Sequence, residues 1–174
     1  MARLPYPDEP YDADVAALAE QIRAERGGKL LGLYRMLLNS PPVARGWLNF
    51  LTAIRQQTSL SGNLRELVIL RIALVNRADY EYHAHTPFAL KEGLSQAQVD
   101  ALPNWLESDV FDATECAVLA YADAMTKSVQ VSDAVFDAVA SRLDTREMTE
   151  LTATIAAYNL VSRFLEAIKI DPEH

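Results

Sequence analysis

The stretch Asn63–Asn76, "NLRELVILRIALVN", decides the fold. Apolar residues occupy nearly every side of it when it is wound at 100° per residue, and Glu66 and Arg71 are the conspicuous exceptions. A helix with no polar face cannot lie on a surface, so this segment is expected to run through the centre of a helical bundle. The segments on either side read as helices with recognisable starts and stops. Upstream, "DADVAALAEQIRAERGG" places Val15, Leu18, Ala19 and Ile22 on one stripe and stops at Gly27 and Gly28. "LLGLYRMLLN" is a short apolar helix, and "SPPVARGWLNFLTAIRQQT" opens with Ser40 as N-cap and prolines in the first turn. Downstream, Ser95 with Gln98 forms a capping box for "QAQVDAL", and Asp112 with Glu115 has similar spacing before "CAVLAYADAMTKS". Ser132 caps "DAVFDAVASRL", and Asp144 with Glu147 opens a long last helix that ends by Pro172. No segment sustains a period-two alternation. The expectation is an all-α, single-domain bundle of about eight helices over residues 1–174, with residues 1–11 as an extended arm.

Composition narrows the partners. Half of the residues are hydrophobic and Gly and Pro are sparse, which fits a folded globular chain. A net charge of -8 with no Lys/Arg cluster argues against nucleic acid and against an anionic membrane surface. The N-terminus lacks an apolar leader-like core and no apolar run approaches the ~18 residues of a spanning helix, so a cytoplasmic location is expected. Cys116 is the sole cysteine, which excludes an internal disulfide, a multi-thiolate zinc cage and a two-cysteine redox couple within one chain.

After the short connection "NRAD" comes "ADYEYHAHTPFALKEG", Ala78–Gly93, which should fold back beside the central helix. Glu81 and His85 are four apart and share a face, whereas His83 sits about 200° round from Glu81. Pro87 removes the amide that would bond to His83 and disfavours a helical Thr86, so a kink or a new helix start is expected there.

These residues resemble the carboxymuconolactone decarboxylase and alkylhydroperoxidase D-like superfamily. The resemblance covers most of the chain from Leu30 onward: "LGLYRMLLNSPPVARGW", "LRELVILRIALVNRADYEYHAH" with "KEGLS", "VLAYADAMT" and "AAYNLVSRFLEAI". In the peroxidase branch a core-helix glutamate is followed, twelve residues on, by a cysteine, a second cysteine after two residues, and a histidine after three more. That pattern falls on Glu66, Ala78, Glu81 and His85, so both cysteines are absent. The local motif is similar to the branch with Tyr, Glu and an aromatic residue before the histidine, here Tyr80, Glu81, Tyr82 and His85. The resemblance implies a homo-oligomer, whether dimer, trimer or hexamer, and a small-molecule substrate.

A carboxylate one turn from an imidazole fixes its tautomer and strengthens its hold on a proton, which suits His85 to acid or base work with Glu81 as its orienting partner. If Glu66 faces the same groove, burial and the like charge of Glu81 raise its proton affinity and make it a relay. Such a trio suits decarboxylation, double-bond migration or elimination beside a carbonyl, with no cofactor. The candidate reaction is therefore a lyase or isomerase step on a small cyclic or unsaturated carboxylic acid or lactone. Arg71 is the nearest cation for a substrate carboxylate, and Tyr34, Trp47, Phe50, Tyr82 and Tyr158 are candidates for an aromatic-walled pocket.

Each assignment has a structural rival. Glu66 could complete an N-terminal cap begun by Asn63, and Glu81 with His85 could be a surface pair. A metal set of Glu81, His85 and Glu92 lacks a second histidine on its face, so no metal is expected. Cys116 reads as a small core residue. It would also be the only nucleophile for a peroxidase-like, peroxiredoxin-type antioxidant, the first alternative function; a non-catalytic binding or assembly module is the second.

Overall fold

The computed structural model describes residues 2–170. Among them are nine α-helices, one 3-10 helix and no strand. The chain divides into two compact units, one of Met1–Gln57 with Phe164–His174 and one of Thr58–Arg163.

In the first unit, α1 (Ala13–Glu25) is capped by Asp12, whose side chain accepts from Val15 N–H. It gives way to Gly27 and Gly28, both at positive φ. α2 (Gly32–Leu37) is nearly all buried, and α3 (Pro41–Gln56) starts at Ser40 with prolines in its first turn, although the Ser40 side chain makes no capping bond. α3 buries Ala44, Trp47, Leu48, Leu51 and Ile54, a single helical stripe. The N-terminal arm is non-helical, and Arg3 N–H ties it to Ile168 O at 2.8 Å.

The second unit is organised around α4 (Gly62–Asn76), in which every residue from Glu66 to Ala73 is buried. This is the all-round burial expected of a helix with no polar face. α4 packs against α5 (Asp79–Lys91) and α7 (Ala113–Ser128). Between those two come α6 (Gln96–Ala101) and a 3-10 turn, Leu102–Glu107, that the sequence did not announce; they close a core of Leu67, Leu70, Leu94, Leu102, Trp105 and Leu119. Both capping boxes, Ser95 with Gln98 and Asp112 with Glu115, are formed. α8 (Asp133–Ala140) follows Ser132, whose side chain makes no capping bond, and α9 (Thr145–Ile168) opens on the reciprocal pair Asp144 and Glu147.

Two expectations need correction. α5 continues through Pro87 as one helix, so no new helix starts there; the proline offers no N–H to His83 O, and the adjacent Thr86 hydroxyl donates to Tyr82 O at 2.8 Å. The cap of α4 is Ser61, which accepts from Leu64 N–H at 3.3 Å, so Glu66 is not needed there.

The entry to α4 is also fastened from α9. Glu150 Oε2 accepts from Ser59 N–H, Leu60 N–H and the Ser59 hydroxyl at 2.8 to 2.9 Å, and its other oxygen accepts from Arg146. Burial pushes this carboxyl up, but Arg146 and the Ser59–Leu60 donors outweigh it and hold the pKa at about 2, against an ordinary 4.5. A carboxyl lowered on folding stabilises the native state above its unfolded value and loses that contribution as pH falls from 4.5 towards 2. Glu150→Gln is therefore expected to lower unfolding free energy at pH 7 by about 1–2 kcal/mol, allowing for solvent screening of the exposed Arg146 end, and to flatten the acid limb of a stability profile followed by urea denaturation. An unchanged acid limb would count against the anchor.

Candidate functional site

α4 ends at Arg77, in left-handed backbone with φ 56°, and the next amide, of Ala78, bonds to Ala73 O at 2.8 Å. The chain thereby reverses, and α5 returns antiparallel along α4: Gly62 lies against Glu92, and Glu66 against His85.

Of α5, only Glu81, His85 and Ala89 are buried. Burying two ionisable side chains where a packing helix would place Leu or Val costs stability, which marks this stripe as a candidate for chemistry. Glu66 Oε2 lies 2.7 Å from His85 Nδ1, with Glu66 1% and His85 8% exposed. With Glu66 ionised, Nδ1–H donates to it, which fixes the tautomer and directs proton transfer to Nε2. The residue at this distance is thus the core-helix glutamate, reached across the helix pair. Glu81 lies one turn earlier on the same buried face and is 2% exposed. Tyr158 of α9 sets its ring edge-on to the imidazole, with centroids 5.1 Å apart and planes at 89°. Phe88 approaches the ring at 5.9 Å and is itself substantially exposed. His83 points outward, with Nδ1 at 2.7 Å from Asp79 O.

The other candidate residues have partners of their own. Arg71 grips Asp123 with two nitrogens, Nε to Oδ1 at 2.6 Å and Nη2 to Oδ2 at 2.8 Å, and its Nη1 donates to Leu102 O at 2.9 Å. Trp105 Nε1–H and Lys127 also donate to Asp123. Burial pushes the Asp123 carboxyl up, but Arg71, Lys127 and Trp105 hold it below its ordinary range. The guanidinium therefore meets a carboxylate of its own chain and locks α4 to α7. Tyr82 packs against the hydrophobic core and points its hydroxyl at Val99 O. Tyr34 and Trp47 belong to the first unit, where Arg26 donates to the Tyr34 hydroxyl at 3.0 Å and Trp47 meets Phe164 at 5.2 Å; Phe50 is exposed.

Cys116 is half-buried on α7, with Sγ directed at Phe111 O. Burial, followed by the charges of Asp112 and Glu115, raises its pKa, which keeps it a thiol and a poor nucleophile at neutral pH. Cys116→Ser is expected to leave any peroxide consumption at the wild-type rate and stability within about 1 kcal/mol. A rate that vanished with the sulfur would return the thiol to the chemistry. Among the described residues no group of three or more His, Cys, Asp and Glu is arranged to hold a metal ion, and no helix is long and apolar enough to cross a membrane.

The structure adds two residues that periodicity did not single out. Phe88 borders the imidazole, and Arg65 contacts Glu66 Oε1 through Nε at 3.3 Å. Both are next to residues with stronger signals, and neither spacing nor residue type distinguishes them from ordinary helix surface.

The carboxymuconolactone decarboxylase family model matches residues 41–124, from the start of α3 into α7 and across the Glu66–His85 pair. The alkylhydroperoxidase AhpD core of an uncharacterized peroxidase-related protein from Ralstonia eutropha JMP134 has the same fold, with a TM-score of 0.83 over 99% of this chain and 92% of that one at 19% identity. The chain thus carries a carboxymuconolactone decarboxylase family region, residues 41–124, and has the AhpD-like fold. The chain is 30% identical to the uncharacterized protein YnjA of Escherichia coli K12 over 126 residues, 72% of this chain and 66% of the relative. The debrominase Bmp8, solved as a variant with 2,3,4-tribromopyrrole bound, shares the fold with a TM-score of 0.82 over 99% of this chain and 94% of that one at 18% identity.

Proposed function

We propose that this protein is a cofactor-independent lyase or isomerase that moves a proton to or from carbon in a small cyclic or unsaturated carboxylic acid or lactone. The observation that carries the reading is the 2.7 Å contact between Glu66 and His85, both buried. In the proposed cycle Glu66 holds Nδ1–H, and His85 Nε2 exchanges the proton with the substrate carbon. Bond cleavage beside the carbonyl leaves an enolate or carbanion, and protonation by the imidazolium completes a decarboxylation; removal at one carbon and return at another completes an isomerisation. Glu81 acts as the second carboxylate of the site, and Tyr158 with Phe88 forms an apolar border against the imidazole, favouring a flat, weakly polar ring or alkene. A small heteroaromatic ring is what the debrominase neighbour binds, which agrees with that preference.

The positions that carry paired cysteines in the peroxidase branch are Ala78 and Glu81 here, and Cys116 lies on a different helix with its thiol form favoured. These features support proton transfer over thiol peroxidation. A screen of small unsaturated acids and lactones, read by loss of carboxylate carbon or by solvent deuterium appearing at carbon, tests the proposal. Turnover that disappears in His85→Gln supports it, whereas tight binding of such acids with no exchange or turnover would leave a binding protein.

A further inference from the structure

The chain of charges around Glu66 does not stop at His85. Arg65, only 12% exposed along its side chain, lies between two carboxylates: its Nε reaches Glu66 Oε1 at 3.3 Å and its Nη2 reaches Glu92 Oε1 at 3.6 Å. Glu92, just after α5, is 40% exposed along its side chain and folds its carboxylate over Gly62, where even a methyl group would displace it. The order is therefore an exposed anion, a nearly buried cation, a buried anion and a buried imidazole, joining the start of α4 to the length of α5.

We propose that Arg65 is a positioning residue for the Glu66–His85 pair, bridging Glu66 to Glu92 so that Glu66 orients the imidazole without trapping its proton. The inference rests on the proton-transfer reading above. Glu66 offers one oxygen to Arg65 and the other to His85, so the guanidinium fixes the plane of the carboxylate as well as sharing its charge. An isolated buried carboxylate would hold an imidazolium tightly and slow the release of its proton; a cation on the opposite oxygen weakens that hold. Near the pair are also Glu81 on the same buried face of α5, the Phe88 ring and the Tyr158 ring from α9, while from α7 Glu115 is engaged by Gln98 and Asp123 by Arg71. Glu92 tunes the effect in the opposite sense, because it draws Arg65 away from Glu66.

The test is titration of the His85 imidazole in the full chain by NMR, in wild type, Arg65→Gln, Arg65→Lys and Glu92→Gln. Arg65→Gln is expected to tighten proton binding at His85 by about threefold or more, with Arg65→Lys returning most of the way to wild type, because a charge near Glu66 is restored. Glu92→Gln, at an exposed position, should shift the titration in the opposite direction and keeps the test available if Arg65→Gln folds poorly. Superimposable His85 titrations in the variants that fold would overturn the proposal and leave Arg65 as a tether between helix ends, a role that changes the melting temperature alone. Because the titration needs no substrate, it fails independently of the function: turnover lost in His85→Gln with titrations unmoved by Arg65 refutes only the positioning role, and the reverse pattern refutes only the catalysis.

Discussion

Replacing His85 by glutamine is expected to reduce turnover at least about 100-fold while leaving the helical circular dichroism and the urea midpoint close to wild type. The amide can still donate to Glu66, so the buried carboxylate keeps a partner, yet it cannot carry a proton at neutral pH; general acid–base groups contribute roughly 10²- to 10⁴-fold. Alanine is the less informative change. It removes the Nδ1 partner of a side chain only 1% exposed and should cost about 1–3 kcal/mol in stability besides the chemistry. The expected separation is thus a glutamine variant that folds well and fails in kcat, and an alanine variant that fails in both. Wild-type turnover in either would remove His85 from the mechanism, and with it the reading of the buried α5 stripe as a proton-transfer site.

The second large effect is on folding. Arg71→Met should destabilise the protein by about 2–4 kcal/mol, less than the full cost of breaking a buried ion pair because Lys127 and Trp105 remain on Asp123. Adding Asp123→Leu should recover part of the loss, since a buried pair replaced on both sides by apolar groups is often close to neutral. Equilibrium urea denaturation of the two singles and the double measures the coupling. If the guanidinium instead served a substrate carboxylate, Arg71→Met would raise KM with little change in the unfolding midpoint.

Much of this architecture is legible in the sequence because it is locally encoded. Ser95 with Gln98, Asp112 with Glu115 and Asp144 with Glu147 each satisfy amides within one turn, so three residues of sequence are enough to locate a helix start. The apolar residues on all sides of α4 likewise require a central position. Tertiary pairing is not encoded that way. Glu81 is the i−4 neighbour of His85 and so the carboxylate that spacing suggests, but the 2.7 Å contact to Nδ1 comes from Glu66, nineteen positions earlier. Arg71 looks like a spare cation until the fold brings Asp123 to it from 52 residues away. The 3-10 turn at Leu102–Glu107 escapes periodicity because six residues of that tighter helix present no 3.6-residue stripe.

The enclosure of α4 on every side also divides the labour of change within this unit. A substitution anywhere from Leu67 to Ile72 disturbs packing whatever its chemical merit, so the carboxylate of Glu66 is mounted on the least negotiable part of the chain. Its borders are built differently. Phe88 is exposed on α5, and Tyr158 comes from a separate helix, so, if the pair transfers protons as proposed, the borders of the site can be recut while Glu66 stays where it is. New substrates would then be acquired by altering α5 and α9, with α4 serving as the unvarying keel against which each trial is made.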